Sequence, residues 1–411
     1  MQKCHWKKGD TCNRNSCNGL QKKLFRLRER ANKLFYEDGK SKRSISRKLK
    51  VSFNFVLKWT KEKGMNFGAD KRGWKKHRTR KWDDLTGKRI VEIYSSLEAR
   101  GSFFMGATAV ELEWKRRYEI APPPIRTIGW IMKEMRLTRP NKKPVVKGAT
   151  RYLCYPEHSI HHYPGGRVLE VDFVGKKFMA GRTAPLHFAA CSFKYAPKLR
   201  HYQRIRGETA DELTKVLKAF FLKFERPAVV KMDNGFAMCG SAPQPHVLSK
   251  LQLWLLEQGI YPMYAVPRRP FSQASIEGNN SVFGRKFWNR FVFDHTEQMD
   301  QKLEEFNQAS IQYYSYAPPV NQQRKKFIPR IFYLRQVRED ESKKAFIEVA
   351  NDKVRIPISY INYFVFAEWN LKTEELTIFL EKEKKLRKIK SINFKINPKS
   401  KLKLNRTDNI L

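Results

Sequence analysis

Three carboxylates stand out by their surroundings. The run RVLEVDFVG, residues 167–175, is apolar or β-branched at Val168, Leu169, Val171, Phe173 and Val174, the composition of a buried strand. Asp172 sits among them, and a carboxylate there costs several kcal/mol unless a cation, a metal or hydrogen bonds offset it. Asp233 lies where a second strand, AVVKMD, meets the turn NG, and in α/β sheets sites gather at the carboxyl ends of strands. Glu277 lies early on a helix after PRRPFSQAS, where helical spacing puts Asn280, Ser281, Gly284 and Trp288 on its face. Taken singly, each has a bland explanation: a structural acceptor, a turn residue and a solvated glutamate.

The chain around them is strongly basic. Its 411 residues hold 83 Lys and Arg against 40 Asp and Glu, a net charge of +43. That excess calls for a polyanionic partner, either nucleic acid or an anionic membrane. No apolar run approaches the roughly 20 residues of a membrane span, and MQKCHWKKGD lacks the apolar core of a signal peptide. Double-stranded DNA is therefore the expected partner, with no membrane association and a cytoplasmic, nucleoid-associated location. Cys154, Cys191 and Cys239 are scattered, as ordinary reduced thiols are. Cys4, His5, Cys12 and Cys17 are clustered, and either hold a structural Zn²⁺ in a spacing that matches no standard pattern or belong to an unstructured terminus. His158, His161 and His162 read as linker residues near phosphate. The run FGRKFWNRF places Arg285, Lys286 and Arg290 beside Trp288, a basic–aromatic mixture suited to frayed DNA ends, with half of its aromatics expected in the core.

The elements that must position these groups follow from periodicity. The overall expectation is a multidomain α+β chain. Residues 1–66 form a first helix-turn-helix module with the Cys/His terminus. A helix over about 22–37 buries Leu27, Ala31 and Leu34 and stops at Asp38-Gly39. Ser41 caps a second helix with Ile45 and Leu49 inward, and Ser52 caps a third with Val56 and Trp59 inward. The third helix would present Phe53, Asn54 and Lys58 to base edges in the major groove. The pattern recurs over 67–140. Ile90, Ile93, Tyr94 and Leu97 face inward on one helix, and Ile125, Ile128, Ile131 and Met132 on another that opens with prolines. Arg126, Thr127, Trp130 and Lys133 would lie near DNA. Residues 141–159 are a basic linker.

From residue 160 to 318, three strands in a row followed by alternating helices and strands make a mixed α/β layer. Here PGGRVLEVDFVG, VVKMDNGFAM and PRRPFSQASIEGNNSVFGRKFW together resemble the catalytic core of DDE transposases and retroviral-type integrases. The preceding helical arm resembles that of bacterial insertion-sequence transposases. The resemblance implies an RNase H-like core in which Asp172, Asp233 and Glu277 are the catalytic triad and hold two Mg²⁺ ions, for which Mn²⁺ can substitute. Sixty residues lie between Asp172 and Asp233. The forty-three between Asp233 and Glu277 exceed the family's usual gap, which puts a short insertion around GFAMCGSAPQP. Where the family often has a basic residue seven positions after its glutamate, this chain has Gly284, with Arg285 next to it.

Carboxylates are the hard oxygen ligands Mg²⁺ prefers. Two ions about 3.5–4 Å apart can activate a water or a 3′-hydroxyl and stabilise the leaving oxygen of an in-line phosphoryl transfer. In this scheme Asp172 bridges the ions while Asp233 and Glu277 hold one each. A small β-barrel-like domain is expected over 319–381, and a basic tail over 382–411 that docks on phosphates and is otherwise disordered. The expected function is cleavage and strand transfer of an insertion sequence, by a homo-oligomer assembled on the element's ends. The alternatives are a phage or retroelement-like integrase with the same chemistry, or a DNA-binding regulator with a relic core.

Overall fold

The computed structural model describes residues 14–64, 82–138, 155–240, 244–318 and 327–405. Cys4, His5 and Cys12, most of the expected linker and the segment 319–326 lie outside them, as does the side chain of Cys17. Two compact units, residues 1–83 and 84–411, make up the chain.

In the first unit α1 (Arg14–Tyr36), α2 (Lys42–Leu49) and α3 (Phe53–Trp59) close on Ala31, Leu34, Ile45 and Val56. Chain direction changes at Gly39, whose φ of 60° is in the left-handed region. The Ser41 hydroxyl accepts from the Ser44 amide and the Ser52 hydroxyl from that of Phe55, so each short helix has its first turn capped. The Asn32 amide group donates to the carbonyls of Trp59 and Glu62, tying the end of α3 to α1.

The second unit begins with α4 (Asp84–Ala99), α5 (Ala107–Arg117) and α6 (Ile125–Glu134), packed around Ile90, Ile93, Val110, Trp114, Ile128 and Met132. Ile125 departs from expectation: it opens α6 and is exposed, because a residue in the first turn has no preceding turn to cover it. After α7 (Glu157–His162) come β1 (Val168–Phe173), β2 (His187–Phe193) and β3 (Leu199–Ile205), then α8 (Ala210–Lys223), β4 (Val229–Met232), the short α9 (Phe236–Cys239), α10 (Lys250–Glu257) and β5 (Tyr261–Tyr264). A 3₁₀ turn, Pro270–Gln273, leads into α11 (Ala274–Phe283), which runs into a π-helical turn, Gly284–Trp288, before α12 (Thr296–Tyr314).

The C-terminal region adds β6 (Arg330–Gln336), β7 (Arg338–Glu339), β8 (Ala345–Val349), β9 (Asp352–Arg355), β10 (Phe364–Asn370), β11 (Glu375–Lys382), β12 (Lys385–Asn393) and α13 (Pro398–Asn405). The unit is thus mixed α/β around one large sheet, ordered β12-β11-β10-β6-β5-β4-β1-β2-β3. Pairing is parallel at β1/β4, β4/β5 and β5/β6 and antiparallel elsewhere. One face carries Leu169, Val171, Val230 and Met232 with apolar residues of α8 and α10. The other carries Phe188, Ala190 and Tyr202 against α11 and α12.

Two expectations for the C-terminus fail here. Of the barrel-like domain expected over 319–381, the described residues do not form a separate unit, since β6, β10 and β11 continue the central sheet and β7–β9 alone make a small sheet of their own. The cause is β6, buried from Ile331 to Arg335 on both faces, which covers the edge that β5 would otherwise expose. Nor is the tail disordered throughout. A two-residue turn with both Glu383 and Lys384 at positive φ folds β12 back on β11. Beyond it Phe394 and Ile396 are buried and the Trp369 indole donates to the Phe394 carbonyl. Phe394→Ala should therefore destabilise the protein by about 3–5 kcal/mol, read as a lower denaturant midpoint. An unchanged midpoint would restore the picture of a loose tail.

Candidate active site

Strand register places the first two carboxylates. β1 and β4 run parallel with Glu170 opposite Lys231, so two residues further along both chains Asp172 and Asp233 emerge side by side at the carboxyl edge of the sheet. Glu170, Asp172, Lys231 and Asp233 share one face by strand alternation. Gly166, just before β1, has its Cα against Ala228, and a Cβ there would collide with that residue.

The Asp233 turn is tightly built. Its Oδ1 accepts from the Gly235 amide at 2.8 Å, and a Cβ at Gly235 would come within 3.1 Å of that oxygen. The next side chain, Asn234, donates to the Ala265 carbonyl (2.7 Å) and accepts from Arg335 Nη2 (2.9 Å). Arg335 is itself buried on β6 and also donates to the carbonyls of Ala265, Leu334 and Glu348.

Glu277 comes from α11. One turn on, Asn280 donates from Nδ2 to Asp172 Oδ2 at 2.9 Å, which ties the helix to β1. Asn279 donates to the Ser192 hydroxyl and its carbonyl accepts from the Tyr202 hydroxyl, which ties the same helix to β2 and β3. Burial pushes Asp172 up to about 7, and the charges of Asp233 and then Glu277 push it the same way against hydrogen bonds from Phe173 and Asn280. Partial desolvation also raises Glu277. The structure thus sets Asp172 and Asp233 at the ends of adjacent parallel strands and ties α11, which carries Glu277, to Asp172 through Asn280.

The donor set suits a hard divalent cation: carboxylate oxygens, mutually repelling, with the buried Asn280 Oδ1 lacking a partner. Among the described residues, no group of three or more His, Cys, Asp and Glu side chains is placed so that it could hold a metal ion.

The other residues named from sequence are dispersed. Asn54 and Lys58 are exposed on α3, in the first unit. Arg126 and Lys133 are exposed on α6, with Thr127 half-buried between them. Arg285 is exposed and donates to the Ser281 carbonyl, and Lys286 is half-buried. Arg290 donates to the Ser102 carbonyl at 2.6 Å, which anchors the loop before α5. Phe287 is fully buried, while Trp288 and Phe291 pack at the margin of the same cluster. The histidines of α7 lie elsewhere: His158 and His162 have ring centroids 4.2 Å apart and, with His161, line a cavity of about 600 Å³ at the other end of β1.

Sequence reasoning missed Glu170, Lys231 and Arg335. The first two had a visible signal, since each lies two residues before a named aspartate and so on its face of the strand. Arg335 had none, because its role depends on β6 joining the sheet.

No protein-family model matches the chain, and no curated protein matches it. Among solved structures, the catalytic core domain of BIV integrase aligns at 12% identity and a TM-score of 0.27, over 38% of this chain and 88% of that one. A chain of the simian T-cell lymphotropic virus intasome, solved in complex with PP2A regulatory subunit B56 gamma, aligns at 11% identity and 0.31, over 74% and 99%. With both scores this low, neither match carries a function over to this chain. No helix among the described residues is long and apolar enough to cross a membrane.

The raised Asp172 fixes the sign of a stability effect. In the fold the ionised form is disfavoured, so its penalty is absent below the ordinary carboxylate range, grows as pH rises towards 7 and is complete above it. In metal-free buffer, Asp172→Asn should melt higher than the parent protein at pH 8, with the gap closing towards pH 4. Mg²⁺ should raise the parent's melting temperature at pH 8 and leave the variant's unmoved. A variant that melts lower at pH 8 would contradict the assignment.

Proposed function

We propose that the protein is a DNA strand-cleaving and strand-joining enzyme, a transposase of insertion-sequence type with an RNase H-like catalytic core. The observation that carries this reading is the parallel register that sets Asp172 beside Asp233, with Asn280, one turn after Glu277 on α11, hydrogen-bonded to Asp172. The sheet order supports it, with an antiparallel β1-β2-β3 meander followed by β4 and β5 added parallel beside β1.

Two Mg²⁺ ions in this site would activate a water or a 3′-hydroxyl and stabilise the leaving oxygen of an in-line phosphoryl transfer. Asp172, Asp233 and Glu277 would hold these ions. The Asn280 amide fixes the plane of the Asp172 carboxylate, and the Gly235 amide does the same for Asp233. Burial keeps water away from one side of Asp172, which strengthens its attraction for a cation.

The charge of +43 supplies the hold on DNA. In this reading α1–α3 and α4–α6 act as helix-turn-helix modules for the element's ends, with Asn54 and Lys58 on α3 and Arg126, Thr127 and Lys133 on α6 facing the duplex. Arg285, Lys286 and Arg290 border the scissile strand, although Arg290 already serves the Ser102 carbonyl.

Asp172→Asn, Asp233→Asn and Glu277→Gln should each lower Mg²⁺-dependent cleavage of an end-bearing duplex at least a hundredfold, about 2.7 kcal/mol on the barrier. DNA affinity should stay within about twofold, since no phosphate-binding cation is removed. Cleavage by any one variant near the parent's rate would remove that residue from the triad. Tight DNA binding with no cleavage by the parent protein would favour a regulator with a relic core.

A further inference from the structure

Lys231 is buried to 2% side-chain exposure beneath the proposed site, as is Glu170 to 3%. Its ammonium donates to Glu170 Oε1 at 3.0 Å and to the Ser272 carbonyl at 2.5 Å. These contacts join three elements. Lys231 is on β4, two residues before Asp233. Glu170 is on β1, two residues before Asp172. Ser272 is in the 3₁₀ turn that opens α11, five residues before Glu277.

Stability alone does not explain the pair. Desolvating two charges offsets most of their attraction, and apolar residues of like volume are often as stable or more so. Glu170 Oε2 is moreover buried with no hydrogen-bond partner. Along the same strand face Val168 and Val229 are fully or almost fully buried and apolar, so the position accommodates hydrocarbon. An ammonium offers what hydrocarbon does not, several directed donors from one point. Ser272 is held from a second side by the Tyr155 hydroxyl, which donates to the same carbonyl at 3.3 Å.

We propose that Lys231 is a positioning residue for the carboxylate site: through Glu170 and the Ser272 carbonyl it fixes β1, β4 and the start of α11 to one another, so that Asp172, Asp233 and Glu277 face a common point. The catalytic consequence rests on the transposase reading, whereas the mechanical one does not. Lys231 touches no reacting atom and acts only through what it holds.

The test uses the full chain with Glu170→Leu and Lys231→Met together, which replaces the ion pair by hydrocarbon and leaves no buried charge unpaired. The melting temperature should stay level or rise. Amide hydrogen exchange over residues 272–277 should quicken at least tenfold while β1 and β4 stay protected. In DNA cleavage kcat should fall at least tenfold with KM within about twofold, and Glu170→Gln alone, which keeps both hydrogen bonds of Lys231, should recover most of it. Parent-like exchange at 272–277, or parent-like kcat in the double variant, would overturn the proposal. If the parent protein cleaves no DNA, the transposase reading falls and the exchange result alone decides the positioning role, tenfold faster for it and unchanged against it. Should the double variant not fold, Glu170→Gln with Lys231→Gln, a neutral pair too short to reach Ser272, takes its place with the same two outcomes.

Discussion

Two acidic side chains lie on one face of β1, two residues apart, and the fold treats them differently. Glu170 is sealed in the sheet and has an ammonium within 3.0 Å. Asp172 lies at the strand's end, where burial raises it and the charges of Asp233 and Glu277 push it the same way. In the proposed function, the buried acid with its counter-ion is a structural joint, and the one beside Asp233 is the cation site. The parallel pairing of β1 with β4 makes both outcomes possible, since one register sets Lys231 against Glu170 and Asp233 beside Asp172.

The same economy extends through the C-terminal strands. β6 lies two strands away from β4, yet its Arg335 reaches Asn234 in the Asp233 turn and shares the Ala265 carbonyl with it. Burial lowers Arg335 to about 10, which leaves it cationic at neutral pH, compensated by carbonyl oxygens. The region after residue 327 is therefore part of what shapes the site. Its own last strand is held by Phe394, Ile396 and the Trp369 hydrogen bond.

Local chemistry was legible in the sequence and pairing at a distance was not. The caps at Ser41 and Ser52 depend on four-residue windows. The positions of Asp172, Asp233 and Glu277 depend on strand alternation and one helical turn, which short windows also reveal. The Lys231–Glu170 contact depends on a register between strands 61 residues apart, which periodicity does not encode. The hairpin joining β11 to β12 uses Glu383-Lys384 in place of the Asn-Gly or Asp-Gly that advertises such a turn. A lysine-rich strand consequently resembles a solvated tail until its partner is known. β6 reads as a strand of a separate domain for the same reason, because nothing in its own residues names β5 as its neighbour.

The central proposal is that three carboxylates from three elements face one cation-binding point. An Mn²⁺-soaked crystal examined by anomalous scattering tests it most directly. The account predicts density bounded by the carboxylate oxygens of Asp172, Asp233 and Glu277, and its loss in crystals of Asp172→Asn. Density confined to other residues, or none at Mn²⁺ concentrations that stabilise the protein, would contradict it.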